Sequence, residues 1–279
     1  MEGIKRPWRD HNADQGGHGQ GVDLAEAIIE SCDVFFYTIG VKAGIDLLSK
    51  ESALFGLGDI TGIDLPGEKR GIMPSRDWKK ENRRQDWFNG DTINMSIGQG
   101  FMLTTPLQLA VMSARIAARG KTVVPKLLKS INGEEIEPVY APDQIEYDDR
   151  YWDYIHKAMI DVVHSDRGTA RGISKGLNYK LAGKTGTAQV ISIHEKEKYD
   201  SSKIDKRKWD HALFVAFAPA DNPKVALGLI VENGEHGSRT AAPIARKVID
   251  RYLSDYLQKS PNNDALRLAK YSSASIKDN

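Results

Sequence analysis

The sequence predicts an α+β fold, with helices first and an antiparallel sheet carrying a covering helix last. Three observations predict it. Capped and amphipathic helical segments recur from Asp23 to Val163. Two apolar runs, 212–218 and 224–231, flank Pro219-Ala220-Asp221-Asn222-Pro223, which reads as the turn of an antiparallel hairpin. A strand-like run at 180–193 precedes that hairpin, and Ile244, Val248, Ile249, Tyr252 and Leu253 mark an amphipathic helix behind it. Helices and strands are segregated along the chain, which is the α+β pattern.

The elements follow in order. Residues 1–21 are rich in Gly, Asp, His and Arg and read as loop, loosest at Gly16-Gly17-His18-Gly19. Asp23-x-x-Glu26 forms a capping box that opens a helix through Leu24, Ile28 and Ile29. After Ser31-Cys32-Asp33, a second helix runs to about Gly44, and a third runs from Leu47 to Phe55. Residues 56–100 read as long loops with short helices, one of them near Pro74-Ser75-Arg76-Asp77-Trp78. Thr105-Pro106-Leu107-Gln108 is the clearest helix start, with apolar positions 107, 111, 114 and 118 on one face and Gly120 as terminator. Residues 122–128 read as extended. Trp152, Ile155, Met159, Val162 and Val163 mark another amphipathic helix. Residues 194–208 form a charged insertion, and 260–279 a polar, disordered tail. No internal repeat is present.

Composition narrows the function. Of the 279 residues, 40% are hydrophobic and 28% charged, enough apolar material for a buried core. Lys and Arg number 39 against 38 Asp and Glu, so a formal charge of +1 gives no general reason to expect nucleic acid or an anionic membrane as partner. No apolar run reaches the roughly 18 residues a bilayer span needs. The start, Met1 to Pro7, lacks the apolar centre of a signal peptide. Cys32 is the one cysteine, which rules out an internal disulfide.

Lys184-Thr185-Gly186-Thr187 is the sharpest motif. An ammonium beside hydroxyls on a strand suits a carboxylate. Gly186 removes a side chain, so a ligand can lie along the backbone as an added strand. The rival reading, the end of a phosphate-binding loop, fails twice: Asn178 stands where that loop needs Gly, and the following residues are strand-like rather than helical. Ser31-Cys32-Asp33, taken alone, reads as a helix end followed by a capping Asp. Beside a Lys-Thr-Gly strand it matches the Ser-x-Asp element of penicillin-recognising serine enzymes.

Ser31-Cys32-Asp33-Val34-Phe35-Phe36-Tyr37, Gly90-Asp91-Thr92, Gly98-Gln99-Gly100, Thr105-Pro106-Leu107-Gln108 and Lys184 to Val190 follow in one order. In this combination the chain, over about residues 4–258, resembles the transpeptidase domain of class B penicillin-binding proteins. It is most similar to their elongation-specific type, penicillin-binding protein 2, with Arg9-Asp10 and Gly17-His18-Gly19 ahead of Ser-x-Asp fitting that type.

The resemblance implies the transpeptidase and serine β-lactamase-like fold over residues 1–259. It implies a peptidoglycan D,D-transpeptidase at the periplasmic face of the bacterial inner membrane, acting on stem peptides and trapped by β-lactams. Cell-elongation membrane proteins, a glycosyltransferase among them, are the implied partners. Lys184, Thr185 and Thr187 would hold the substrate carboxylate beside Gly186, the Thr187 N–H would serve the oxyanion, Ser31 would relay protons, and Asp33 would orient the substrate amide. No cofactor is required for that chemistry. A structural zinc held by Cys32, His18 and Asp10 or Asp14 is expected from ligand type and resemblance together. His11, His156, His164, His194, His211 and His236 receive no catalytic role, and Trp87 and Phe88 could line a peptide groove.

One departure stands out. The family's nucleophile motif, Ser-x-x-Lys, occurs nowhere in the chain. The segment before Ser31 is too short for that motif's helix and the first sheet strands, so the chain reads as the C-terminal portion of the domain, with an open sheet edge and no activity alone. A D,D-carboxypeptidase, a β-lactamase-like hydrolase and a non-catalytic binding fragment are the alternative readings.

Overall fold

Asp23 and Glu26 cap α1 (Leu24–Glu30) reciprocally: the Asp23 carboxylate accepts from Glu26 N at 2.8 Å, and Glu26 accepts from Asp23 N at 3.4 Å. The computed structural model describes residues 8–122, 124–137, 139–140, 144–191 and 201–259. The chain divides into two compact units, 1–158 and 159–279, each taken by itself below.

In the first unit, α1 ends at Ser31 in the left-handed region (φ 58°), and α2 (Asp33–Leu54) starts directly after Cys32. The two helices expected between residues 33 and 55 are both present within this span and meet at a kink at Gly44, whose φ of 76° and ψ of 161° suit glycine alone. Three short helices follow: α3 (Arg76–Arg83), α4 (Asn89–Ser96) and α5 (Pro106–Ala117). Ser75 caps α3 by accepting from Trp78 N at 3.0 Å. α4 carries little apolar periodicity. It is set by Asp91, which accepts from Phe88 N at 2.8 Å and from the Lys79 ammonium at 2.5 Å. Lys79 is buried, with the Phe88 ring centroid 4.7 Å from its Nζ. At Gly40 a Cβ would stand 2.3 Å from Ser96 Cβ, so the missing side chain is what lets α2 and α4 pack together.

Thr105 and Gln108 form the expected capping box on α5. The buried face of that helix differs from the 107/111/114/118 expectation: Gln108, Leu109, Val111, Ser113 and Ala117 are buried. Gln108 is drawn inward because its amide donates to the Asp59 and Arg70 carbonyls at 2.6 Å each. The extended strand expected at 122–128 does not form among the described residues. There the N–H groups of Leu127 and Leu128 donate to the Asp64 carboxylate at 2.6 and 2.9 Å instead of to a neighbouring strand. A minimal hairpin, β1 (Ser130–Ile131) with β2 (Glu134–Glu135), follows.

Helix α6 (Asp149–His164) begins in the first unit and ends in the second, burying Trp152, Met159, Val162 and Val163 as its periodicity predicts. The second unit holds an antiparallel sheet in the order β3-β4-β5: β3 (Ala182–Ala188), β4 (His211–Ala218) and β5 (Val225–Val231). Its register pairs Lys184 with Val215 and Gly186 with Leu213. Phe214, Phe217, Leu181, Val162 and Val163 are fully buried. A π-helical turn, Gly237–Ala241, leads into α7 (Ala242–Lys259), which contributes buried Ala245 and Ile249. Strand β3 is shorter than the 180–193 expectation, because the N–H of Val190 turns to the Asp210 carboxylate at 3.2 Å. The charged insertion contains two 3-10 turns, Ser201–Lys203 and Lys206–Lys208. Residues 192–200 and the 260–279 tail lie outside the described residues.

Candidate functional site

Lys184, Thr185, Gly186 and Thr187 all lie on β3, which pairs with β4 along one edge; among the described residues no strand pairs with its other edge. Lys184 Nζ donates to the Thr185 carbonyl at 3.1 Å. Thr187 is exposed, while Lys184, Thr185 and Gly186 are half-buried. The strand continues through Ala188, so no helix N-terminus forms at Lys184 to cradle a phosphate. Behind the strand stands a residue that the sequence reading passed over: Thr169 Oγ1 lies 3.1 Å from Thr185 Oγ1. Sixteen residues separate the two threonines, and no periodicity joins them.

The first unit holds Ser31, Cys32 and Asp33 at the junction of α1 and α2. Ser31 occupies the left-handed C-terminal position of α1, and Asp33 opens α2, where a negative charge suits the helix N-terminus. Cys32 is buried between them. Burial, followed by a hydrogen bond to the Asp10 carboxylate, pushes its thiol up to about 11. Burial opposes ionisation of Asp10, but hydrogen bonds from Cys32 and His18 outweigh it and hold this carboxyl below its ordinary value.

That contact brings Asp10, His18 and Cys32 together. His18 Nδ1 lies 3.0 Å from Asp10 Oδ2. His11 Nδ1 lies 3.0 Å from Asp10 Oδ1, and one ligand atom from each of Asp10, His11 and His18 falls within a 4.8 Å group. Glu30 approaches His18 Nε2 at 3.9 Å. Asp14 is exposed on the 3-10 turn Ala13–Gln15. Imidazole and carboxylate donors gathered by Asp10, His11 and His18, with the Cys32 thiol hydrogen-bonded to the Asp10 carboxylate, are donor types that fit zinc. The sequence reading missed His11 as a ligand candidate, although its place beside Asp10 was a usable signal.

Trp87 Nε1 donates to Thr92 Oγ1 at 2.8 Å, so its polar edge is committed to α4. Phe88 is 62% exposed.

Comparison with known proteins places the chain. The family described as the penicillin binding protein transpeptidase domain matches residues 2–250. The chain is 45% identical over 241 residues to the peptidoglycan D,D-transpeptidase MrdA of Acinetobacter baumannii, covering 85% of this chain and 35% of that protein. Against the Escherichia coli K12 protein of the same name it is 36% identical over 257 residues, covering 91% of this chain and 40% of that one. The crystal structure of Pseudomonas aeruginosa PBP2 in complex with WCK 5153 superposes with a TM-score of 0.78 at 41% identity, over 91% of this chain and 53% of that chain. PBP2 from Helicobacter pylori gives a TM-score of 0.76 at 35% identity, over 92% and 44% of the two chains. The chain thus spans 35% to 40% of these two curated relatives.

Proposed function

The chain belongs to the penicillin-binding-protein transpeptidase family, and from that premise we propose that it furnishes the carboxylate-binding strand and the Ser-x-Asp turn of a peptidoglycan D,D-transpeptidase of the cell-elongation type. The observation that carries this reading is Lys184-Thr185-Gly186-Thr187 on a strand with one edge unpaired among the described residues. A D-Ala-D-Ala stem-peptide end, or the β-lactam that mimics it, is an extended ligand with a terminal carboxylate. Such a ligand can pair along a strand edge and place its carboxylate at Lys184, Thr185 and Thr187. Ser31 passes a proton toward the leaving amine, and Asp33 orients Ser31 and the substrate amide. The Thr187 N–H stabilises the developing oxyanion. The attacking serine belongs to the Ser-x-x-Lys motif that these 279 residues do not contain, so the acylation step is assigned to no residue here.

A zinc ion held by Cys32, His18 and Asp10, with His11 or Glu30 within reach, would lock the Gly-rich loop to the start of α2 and so fix Ser31 and Asp33. It would supply structure and no chemistry. On this reading the working protein would act at the periplasmic face of the inner membrane. A membrane-associated elongation partner is in keeping with two solved relatives, a complex between Helicobacter pylori PBP2 and MreC and a peptidoglycan synthase complex that coordinates polymerization and crosslinking.

Labelling with a fluorescent penicillin tests the reading. The protein that carries this chain, expressed at its natural length, forms one covalent adduct, and excess unlabelled penicillin prevents it. Absence of an adduct on folded protein overturns the transpeptidase reading in favour of a non-catalytic one.

A further inference from the structure

The Thr169 hydroxyl lies 3.1 Å from that of Thr185, sixteen positions along the chain. The loop that carries it is tightly fixed. At Gly168 a Cβ would stand 2.3 Å from the Val162 carbonyl and 2.5 Å from that of Asp161, so this loop folds directly onto the end of α6. Ala170 N then donates to the Val162 carbonyl at 2.9 Å. Gly168 and Ala170 are buried on either side of Thr169. Thr169 is therefore held by backbone rather than by a mobile side chain.

We infer that Thr169 is a positioning residue that turns the Thr185 hydroxyl toward the ligand carboxylate. The inference rests on the carboxylate-binding role proposed for β3. A carboxylate only accepts, and each threonine hydroxyl has one proton. When Thr185 gives its proton to the carboxylate, its oxygen is left to accept, and Thr169 is placed to donate to it. The two hydroxyls then form a directed chain, Thr169 to Thr185 to carboxylate, in which each bond polarises the next. Without the Thr169 hydroxyl, Thr185 keeps its place in the strand but loses the contact that fixes its rotor.

The test compares a penicillin with its methyl ester, which lacks the carboxylate, on the natural-length protein. The ratio of their acylation rates is read within each variant, so a change in the folded fraction cancels. Thr169→Val lowers the second-order rate constant for the free acid about tenfold, the loss expected for one hydrogen bond to a charged chain. Most of that loss falls in ligand binding rather than in the first-order step. Reaction with the ester is unchanged. Thr169→Ser restores the free-acid rate to within about twofold, since it keeps the hydroxyl. An unchanged ratio in Thr169→Val overturns the inference, and so does an equal loss with acid and ester. If Lys184→Ala collapses the ratio while Thr169→Val does not, the inference fails and the carboxylate site stands. If the wild-type protein reacts with neither compound, both fall together.

Discussion

Two glycines of β3, three positions apart, should respond in opposite ways to alanine. At Gly183 an added Cβ would stand 2.5 Å from Phe214 Cζ, 3.1 Å from Phe214 Cε1 and 2.9 Å from the Val215 carbonyl. Ordinary carbon contacts lie at about 3.5–4.0 Å, so roughly 1 Å must be recovered by moving the ring or the strand. Phe214 is fully buried and cannot swing into solvent. Overpacking of this kind costs about 1–3 kcal/mol, against which the loss of glycine's unfolded-state freedom returns about 0.4–1 kcal/mol. The net loss of about 1–2 kcal/mol lowers the melting temperature of Gly183→Ala by about 2–8 °C. At Gly186 the added Cβ meets only Leu213 Cβ, at 3.3 Å, and the backbone is one that alanine adopts. Gly186→Ala should therefore melt within about 2 °C of wild type, the shift left when slight crowding offsets the entropy gain. Its effect is on ligand approach: a methyl group on β3 obstructs a strand that must lie against it, and penicillin acylation falls about tenfold or more. Differential scanning fluorimetry and stopped-flow acylation of the natural-length protein separate the two effects. A Gly183→Ala melting temperature equal to wild type refutes the packing described for β3. Unimpaired acylation in Gly186→Ala refutes ligand pairing along the strand.

Lys184→Ala removes charge-assisted bonds worth about 1.5–3 kcal/mol each, so penicillin acylation slows by about 10–100-fold with the melting temperature unchanged; normal acylation in the folded variant removes Lys184 from the site. Gln108→Leu keeps the volume but strands the Asp59 and Arg70 carbonyls and the Thr105 N–H, and urea denaturation should show a loss of about 2–5 kcal/mol. A loss under 1 kcal/mol would mean that water replaces those bonds. Elemental analysis of the natural-length protein should find one zinc, and a chelator should lower the melting temperature, as for any ligand bound by the native state alone. Cys32→Ser should remove both effects, whereas Asp14→Ala should remove neither. Metal-free protein indifferent to chelator would exclude the zinc centre.

Local chemistry was legible in the sequence wherever a residue's partner lies within a turn of chain. Asp23 with Glu26 and Thr105 with Gln108 announce their helices, because a capping box closes over three residues. Pro219 to Pro223 announces the β4–β5 hairpin for the same reason, and the motif order from Ser31 to Val190 carries the family. What the tertiary structure alone decided are contacts between residues far apart in sequence. The Asp64 carboxylate takes the N–H groups of Leu127 and Leu128, so these two residues of a run that reads as strand bond to a distant side chain instead of to a neighbouring strand. Gln108, polar and expected only to cap, is buried because the carbonyls of Asp59 and Arg70 converge on it. Between the two metal-ligand candidates, sequence spacing does not choose; the fold sets the Asp10 carboxylate against both His18 and Cys32. Thr169 gains its partner on β3 only because the loop after α6 folds back onto that helix. Pattern and spacing report what the next few residues will do, whereas a buried hydrogen bond is fixed by whichever distant group the packed chain delivers to it.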